Sequence, residues 1–267
     1  MPSALDHIVI VSTDLDTAIA NARAAGFTVV PGGTHGSGHT HNALIAFADG
    51  AYIELFAPTE QGRTAEHRWL DRLRRGGGLV DFCLLCTDLA AEVAAVRERG
   101  IEYSAPFTMA RVKPDGTRIA WSLATAPGAV GERGWPFMIE DTTPRALRVP
   151  NEPAQTRHAN GALGVAGITV LARDVEKLNR EYEAILGAAA TASKSPGDQK
   201  TAGSILLLRT AWILLTEARS SEETEHLARH GQGPFQITLR CHDGPIGPGN
   251  GSLIELALMS GARVALA

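Results

Sequence analysis

The chain has 267 residues, of which 44 % are hydrophobic and 20 % charged, and its net charge is −4. This composition excludes a disordered or fibrous chain, and the length allows one large domain or two of ordinary size. The negative charge, without a lysine run, argues against nucleic acid and anionic membranes as partners, and no apolar stretch approaches the roughly 18 residues that span a bilayer.

The N-terminus and the cysteines indicate a cytoplasmic protein. The opening residues MPSALDH lead directly into an apolar run, without the charged and apolar regions of a signal peptide. Three cysteines are too few for a disulfide framework or a zinc knuckle. Cys83 and Cys86 are predicted to lie on opposite faces of a strand, as small buried hydrophobes in a reducing compartment.

The first 58 residues predict the order strand, helix, strand, strand, strand. The apolar run LDHIVIVS precedes a helix that begins at the N-cap Asp14 and ends at Gly26, a residue typical of the C′ position. Three predicted strands follow, FTVV, NALIAF and AYIELFAP, with a glycine-rich loop between the first two.

The same order returns along the chain. The stretch LDHIVIVSTDL at residues 5–15 has counterparts LVDFCLLCTDL at 79–89 and VAGITVLARDV at 165–175. The helices that follow have the same kinds of cap and stop, namely Asp88 and Gly100, then Asp174 and Gly187. The second module continues with the predicted strands IEYSAP, RIAWSLA and PFMIED. A fourth copy, PFQITLRCHD, is partial, because GPIGPGNG stands where a helix is expected.

These βαβββ modules predict an α+β fold in which modules pair and their sheets enclose a cupped cavity. We expect an N-terminal pair of modules over residues 1–149, a polar linker over 150–161 and a degenerate second half over 162–267. The stretch TASKSPGDQKTAG at 191–203 is predicted to be a flexible loop.

The motifs and their order resemble the vicinal oxygen chelate superfamily, and more narrowly its glyoxalase-like domain family. The resemblance covers residues 4–145 and depends on LDHIVIVSTDL, GFTVVPGGTHGSGHTHNALIAF, DGAYIELFAP, RVKPDGTRIAWSLA and WPFMIED. Residues 163–267 keep only the fold pattern.

The resemblance implies metal ligands on the first and fourth strands of each paired module. The residues at these places are His7, Glu54, Asp81 and Glu140. In the third module Gly167 and Leu214 occupy the places of His7 and Glu54, so we expect no equivalent metal in the second half.

Residue chemistry supports a metal at His7 and Glu54. An ionised glutamate among apolar neighbours is costly unless it is paired or bound to a metal. Imidazole nitrogen and carboxylate oxygen suit Zn²⁺, Mn²⁺, Fe²⁺, Ni²⁺ or Mg²⁺. The alternative is that His7 and Glu54 only hydrogen-bond each other, and that Asp81 is a solvated residue at a strand end.

The loop GGTHGSGHTHNALI carries His35, His39 and His41 among glycines. Such a loop can close over a cavity and present a histidine as an acid, a base or a substrate contact. The alternative is a mobile surface loop with solvated histidines, which we favour for His39. The resemblance supports His35 and Asn42 as site residues.

The stretch RVKPDGTRIAW predicts a hairpin with a Pro-Asp-Gly turn. The resemblance points to Arg111, Asp115, Gly116 and Trp121 in this stretch. Arg111 is expected to hold a substrate carboxylate or carbonyl through a forked hydrogen bond, with a surface ion pair as the alternative. Trp121 is a candidate substrate contact or a core residue, and Asp115 and Gly116 are expected only to make the turn.

Together these features predict a metal-dependent lyase or isomerase that acts on a small oxygen-rich or carbonyl substrate. Glu140, His35 or His41 would move a proton, and Arg111 would hold the substrate. A dioxygenase is less expected, because its iron usually needs two histidines and a carboxylate and only His7 is at a ligand position. Hydrolysis through a metal-bound water stays open.

The alternative from another class is a metal-free ligand-binding or drug-sequestering protein of the same fold. An aromatic content of 5 % counts against it, because such proteins stack ligands on aromatic residues. We expect a small-molecule partner and either a monomer or a homodimer.

Overall fold

The computed structural model describes residues 4–113, 115–194, 201–242, 246–248 and 251–267. In the first part of the chain the strands are β1 (Ala4–Val11), β2 (Val30–Thr34), β3 (Thr40–Ala46), β4 (Tyr52–Pro58), β5 (Gly78–Leu85), β6 (Phe107–Val112), β7 (Arg118–Ala124) and β8 (Phe137–Asp141). The helices there are α1 (Leu15–Ala24), α2 (Leu70–Leu73), α3 (Leu89–Glu98), α4 (Arg145–Arg148) and α5 (Pro153–Thr156), with a 3₁₀ turn at Gln61–Thr64.

The first two βαβββ modules form one eight-stranded sheet with the order β2-β3-β4-β1-β5-β8-β7-β6. The modules join through antiparallel pairing of β1 with β5, while β1–β4 and β5–β8 are parallel. A bridge between His35 and Arg111 links the ends of the outer strands β2 and β6. The sheet therefore curls toward a closed barrel, and the paired modules share one sheet where we expected two facing sheets.

The rest of the chain forms a second, seven-stranded sheet with the order β10-β11-β12-β9-β13-β15-β14. Its strands are β9 (Gly164–Ala172), β10 (Thr191–Lys194), β11 (Thr201–Leu207), β12 (Trp212–Glu217), β13 (Gly233–Arg240), β14 (Ser252–Leu253) and β15 (Arg263–Leu266). Helices α6 (Val175–Leu186) and α7 (Ser221–His230) and a 3₁₀ turn at Leu256–Met259 complete it. The α+β fold with two halves of repeated modules is thus confirmed, and none of the described helices is long and apolar enough to cross a membrane.

The three predicted N-caps are confirmed. The side chains of Asp14, Asp88 and Asp174 each accept a hydrogen bond from the backbone N–H three residues later, at 2.7, 2.9 and 2.8 Å. This contact satisfies one of the N–H groups that a helix leaves unpaired at its start.

Two predicted strands are displaced. The strands expected over FTVV and IEYSAP begin only at Val30 and Phe107. Phe27 and Tyr103, which precede them, are buried, so their apolar side chains serve the core without ladder pairing. The prediction of a loop over 191–203 was wrong at both ends, because these ends belong to β10 and β11. Residues 195–200 lie outside the described part of the chain.

The polar segment 150–161 packs against the first sheet. His158 is 5 % exposed; its Nδ1 accepts a hydrogen bond from the backbone N–H of Thr28, and its Nε2 lies 3.1 Å from the carbonyl of Ala46. One apolar core includes residues of both sheets and of α1, α3 and α6. The two halves therefore share buried surface on both sides of the expected linker.

Candidate active site

A cavity of about 190 Å³ lies on one face of the first sheet. Its polar lining includes His7, His35, Asn42, Glu54 and Arg111. Its apolar lining is Phe56, Trp69, Phe107, Met109, Trp121, Leu123, Phe137 and Ile139. A pocket with a few convergent polar groups among apolar walls is typical of a small-molecule site. The structure therefore brings six of the predicted site residues together, the five polar ones and Trp121.

A β-bulge in β1 organises the polar end of the cavity. Leu5 pairs with Leu84 and His7 with Cys83, so β1 has one extra residue, Asp6, between two consecutive pairs. A bulge redirects a side chain that strict alternation would place on the other face. Asp6 consequently reaches its own neighbour, and its Oδ1 lies 2.6 Å from Nδ1 of His7.

His7 and Glu54 face each other at this end of the cavity, and both are buried. Nε2 of His7 lies 3.5 Å from Oε2 of Glu54. The His7 ring stacks on Tyr52, with ring centroids 4.7 Å apart. With Nδ1 bonded to Asp6 and one face covered by Tyr52, the ring of His7 is fixed with Nε2 toward Glu54.

His35 approaches the other oxygen of Glu54. Its Nε2 lies 3.7 Å from Oε1 of Glu54, and its Nδ1 lies 2.8 Å from Oγ1 of Thr40. Burial lowers the pKa of His35, and the positive charge of Arg111 acts in the same direction, while Glu54 partly offsets both. A buried neutral imidazole is suited to accept a proton at Nε2 near neutral pH.

Asn42 and Arg111 extend this polar chain. The Asn42 amide donates to Oε1 of Glu54 at 2.6 Å, and Nη1 of Arg111 donates to Oδ1 of Asn42 at 2.9 Å. Arg111 is 4 % exposed, and its buried Nε has no hydrogen-bond partner. Arg111 is therefore a buried residue with one unpaired donor and does not form the surface ion pair that was the alternative.

Sequence reasoning missed Arg148, which anchors the bulge. Two of its nitrogens each donate to one oxygen of Asp6 at 2.9 Å, and Nε donates to Asp141 at 2.5 Å. Arg148 also donates to the Tyr52 hydroxyl at 2.8 Å, and Arg145 adds a second guanidinium at Asp6 and Asp141. These charges hold the pKa of Asp6 well below its usual range despite complete burial. No local sequence signal links residues 142 positions apart.

Asp81 does not line the cavity with the other candidates. One of its oxygens accepts hydrogen bonds from the indole of Trp69 at 2.9 Å and from Arg68 at 3.0 Å. The other oxygen accepts from the backbone N–H of Phe82. Burial raises the pKa of Asp81 even with Arg68 beside it. Trp69 also lines the cavity, so it stands between Asp81 and the site.

Glu140 also lies outside the cavity lining. In the ladder between β1 and β5, His7 pairs with Cys83 and Val9 pairs with Asp81, and this pattern shows that the two modules are related by two-fold symmetry. In the second module, Phe137 pairs with Cys83. By that register Phe137 holds the place of Glu54 in the second module. Glu140 instead accepts a hydrogen bond from the backbone N–H of Leu89 at the start of α3, at 2.9 Å.

The remaining candidates divide between the cavity and the surface. Trp121 is 8 % exposed and lines the cavity, so it is both a core residue and a wall of the site. His41 alternates with the cavity residues Thr40 and Asn42 along β3 and does not line the cavity. His39 is exposed, and Asp115 bonds Thr117 within the hairpin turn.

The third module cannot carry a histidine at the equivalent place. A Cβ atom on Gly167 would lie 2.1 Å from the ring of Trp212, which pairs with Gly167 across β9 and β12. Trp212 is the counterpart of Tyr52, and its ring occupies the space that His7 has in the first module. The repeated strand therefore keeps the architecture, and Gly167 stands where the first module has His7.

Two groups of side chains in the first half of the chain offer donor atoms to a metal. Asp6, His7 and Cys83 lie within 4.8 Å of one another, the only such group of three among the described residues. Both oxygens of Asp6 are taken by Arg148, whose charge opposes a cation, and burial raises the pKa of the Cys83 thiol well above its usual value. This group is a poor metal site.

His7 and Glu54 fit a metal better. Their facing atoms are 3.5 Å apart, a separation that two ligands of one ion have when each bond is about 2.1 Å long. Metal-binding histidines usually donate their other ring nitrogen to a carboxylate, as His7 does to Asp6. His35 supplies a second imidazole at the same carboxylate. The sequence argument against a dioxygenase counted only His7 at a ligand position and did not include His35.

Comparisons with known families and solved structures show the family and the fold of the chain. A model of the glyoxalase-like domain matches residues 5–186. A hypothetical protein from Staphylococcus aureus is similar at a TM-score of 0.71 and 14 % identity, over 98 % of both chains. A mutant of 4-hydroxymandelate synthase from Streptomyces coelicolor is similar at a TM-score of 0.61 and 16 % identity, over 91 % of this chain and 72 % of that one.

A fusion protein of a xylose isomerase-like TIM barrel and a 4-hydroxyphenylpyruvate dioxygenase is similar at a TM-score of 0.56 and 15 % identity, over 91 % of this chain and 38 % of that one. No curated protein sequence matched. These identities show a shared fold and nothing finer. The family model matches more than half of this chain, and the chain therefore belongs to the glyoxalase-like domain family.

Proposed function

We propose that this protein is a metal-dependent enzyme of the lyase or isomerase type, acting on a small substrate with an oxygen-rich or carbonyl end and an apolar body. The observation that carries the proposal is the pair His7 Nε2 and Glu54 Oε2, 3.5 Å apart in a buried, mostly apolar cavity. Proteins of this superfamily typically bind a divalent metal, and His7 and Glu54 would hold it here. When bound, the ion supplies Lewis-acid stabilisation of a substrate oxyanion.

The chain's own residues have separate tasks in this proposal. Arg111 and Asn42 orient the oxygen-rich end of the substrate through their N–H donors. His35, whose pKa is lowered, accepts a proton at Nε2 from a carbon next to the carbonyl and returns it to product. The walls formed by Phe56, Trp69 and Phe137 exclude water and strengthen the electrostatic interactions at the polar end.

Metal content tests the proposal first. Protein purified without chelator or added metal is expected to contain about one transition-metal ion per chain. His7→Ala and Glu54→Ala should each lose it, whereas His39→Ala, which changes an exposed histidine, should keep it. Circular dichroism of each variant checks the fold. Protein that binds no Mn²⁺, Zn²⁺ or Fe²⁺ even in titration would contradict the proposal.

Proton exchange tests the reaction class without knowledge of the product. Aryl and alkyl keto acids and hydroxyketones are incubated in D₂O with metal-loaded protein, and loss of the α-proton signal is followed by NMR. Wild type should catalyse exchange, and His35→Gln should slow it by about 10²–10⁴-fold with metal content unchanged. Oxygen consumption without prior proton exchange would instead indicate an oxygenase that uses His35 as a third ligand.

The metal-free binding protein is the second candidate, because the aromatic residues are concentrated at the cavity. Phe56, Trp69, Phe107, Trp121 and Phe137 all line it, so the low overall aromatic content no longer counts against ligand stacking. Tight binding of an aromatic ligand by metal-free protein, with no exchange of its protons, would favour this candidate.

A further inference from the structure

A second cavity, of about 170 Å³, lies between the two sheets and away from the candidate active site. On one side is the stretch Arg72–Leu79, which joins α2 to β5. On the other side are the end of α7, with His226 and His230, and the start of β15, with Arg263. We refer to this cavity as the inter-sheet cleft.

Glycines hold the two walls of the cleft together. Gly76, Gly77 and Gly78 have φ values of +107°, +72° and +87°, a conformation that side chains rarely allow. A Cβ atom on Gly77 would lie 2.7 Å from the carbonyl oxygen of Val11, and one on Gly78 would lie 3.4 Å from Gly261 across the cleft. The run GGG at residues 76–78 therefore forms a close-packed backbone contact between the halves.

Four guanidinium groups line the cleft, from Arg72, Arg75, Arg229 and Arg263. Arg229 pairs with Glu225, and Arg263 pairs with Glu222, through carboxylates whose side chains are 68 % and 55 % exposed. Among the described residues no carboxylate pairs with Arg72 or Arg75. The cleft therefore has a local excess of positive charge in a chain whose net charge is −4.

Arg72 and Arg75 are held in place by backbone carbonyls rather than by carboxylates. Arg72 donates to the carbonyls of Gly77 and Leu79, both at 3.0 Å. Arg75 reaches across the cleft to the carbonyl of Arg229 at 3.5 Å. Carbonyl acceptors fix a guanidinium without neutralising it, so the positive charge stays available to a ligand.

Two buried nitrogen atoms of residues in the cleft have no hydrogen-bond partner. Nε of Arg263 and Nδ1 of His230 are inaccessible to solvent and make no hydrogen bond within the chain. Burial, and then the charge of Arg72, lower the pKa of His226 to about 4 and that of His230 to about 3. The cleft thus disfavours any further positive charge and leaves polar groups without hydrogen-bond partners. An anion bound there would balance the positive charge and supply hydrogen-bond acceptors.

We propose that the inter-sheet cleft binds a multiply charged oxyanion of the phosphate class, either free phosphate or the phosphoryl group of a small ester. Arg72, Arg75 and Arg263 supply the charge-assisted donors, in the planar geometry that matches phosphate oxygens. The second half of the chain, which lacks the ligand residues of the first, contributes one wall of this site. The proposal does not depend on the proposed enzymatic function.

Calorimetric titration tests it. Wild-type protein at pH 7 is titrated with sodium phosphate and with phenyl phosphate, against sodium chloride at matched ionic strength. A single saturable site for phosphate, absent for chloride, is expected. Arg263→Gln and Arg75→Gln should weaken it at least tenfold, and Arg118→Gln, which changes an exposed arginine of β7, should not. Arg75 is exposed and outside the core, so its variant should fold even where Arg263→Gln does not.

Several outcomes would overturn the proposal. Absence of saturable heat, equal binding of chloride, or an equal effect of Arg118→Gln would each show that no specific site exists. Phosphate bound as a ligand of a metal at the first site would disappear in a His7→Ala, Glu54→Ala variant, whereas binding in the cleft should persist there. Tighter binding of phenyl phosphate than of phosphate would identify an ester as the ligand source.

Histidine NMR supplies an independent readout. Bound phosphate should raise the pKa values of His226 and His230, because it adds negative charge beside them. The same addition should leave His39, in the loop before β3, unchanged. Histidines of the cleft that do not respond would place any bound phosphate elsewhere and contradict the assignment.

Discussion

Asp6 contacts His7 at the polar end of the cavity and also the arginines Arg148 and Arg145. In Asp6→Asn the amide cannot neutralise Arg148, which is 4 % exposed. Removing one partner of a buried ion pair costs about 3–5 kcal/mol of unfolding free energy, and loss of a carboxylate behind a metal-binding histidine weakens metal affinity about 10–100-fold. Urea unfolding and Zn²⁺ titration at pH 7 measure the two effects.

Asp71→Asn is the matched control for Asp6→Asn. Asp71 also pairs with an arginine, Arg74, but both side chains are more than two-thirds exposed. Exposed pairs contribute little to stability, so this variant should unfold at the wild-type urea concentration. If Asp6→Asn also unfolds there, the buried cluster does not support the site as described.

Gly32 permits the contact between Asn42 and Arg111. A Cβ atom on Gly32 would lie 2.0 Å from Oδ1 of Asn42 and 2.7 Å from Nη1 of Arg111. Gly32→Ala should therefore separate these side chains and weaken ligand and metal binding about tenfold or more, while the fold survives. Zn²⁺ titration and thermal melting check this, with Gly247→Ala, where a Cβ meets open space, as the control. Wild-type binding by Gly32→Ala would argue against a role for the Asn42–Arg111 contact.

At the scale of the elements, strand register decides which carboxylate reaches the cavity. Glu140 lies at the N-terminus of α3, where its charge and its hydrogen bond to Leu89 stabilise the helix. Glu140→Gln should therefore lower the unfolding free energy by about 0.3–1 kcal/mol and leave metal content and proton exchange unchanged. Loss of metal in this variant, beside retained stability, would restore Glu140 as a ligand.

Packing across β9 and β12 explains the glycine at position 167. Gly167→Ala would press a methyl group into the Trp212 ring, which is buried and held by a hydrogen bond from its indole to the carbonyl of Ile246. Overpacking of this kind costs about 1–3 kcal/mol, measurable by thermal or urea unfolding. The same change at Gly247 should cost little. A Gly167→Ala variant as stable as wild type would mean that Trp212 moves aside freely.

The whole molecule should lose stability in mild acid. Burial lowers the pKa of five histidines, namely His35, His67, His158, His226 and His230. For His67 the pKa is lowered to about 4. Unfolded histidines titrate near 6.5, so between about pH 6.5 and 4 the unfolded chain binds more protons than the folded chain. The free energy of unfolding therefore falls as pH falls through this window.

Urea unfolding at pH 7, 6 and 5, with chelator present to remove metal effects, measures this dependence. His67→Gln, which cannot take up the proton, should flatten the slope, and His39→Gln should not. Burial raises the pKa of Asp49 and of Asp81, which acts in the opposite sense, since these carboxyls bind protons first in the folded state. A stability that is flat from pH 7 to 5 would contradict the buried neutral histidines.

The sequence by itself determined the repeated modules and their helix caps, and the family resemblance pointed to His7, Glu54, His35, Asn42 and Arg111, which line the cavity. Periodicity, capping residues and strand parity are local properties, and each is readable within about a dozen residues.

Only the tertiary structure decided which other charges meet at the site. The bulge places Asp6 beside His7, and the β5–β8 register puts Phe137 where Glu140 was expected. Trp69 lies between Asp81 and the cavity. Each depends on pairing between distant segments, as in the contact of Asp6 with Arg148, 142 residues away. A shift of one residue in such pairing turns a side chain to the other face, and no local pattern records that shift.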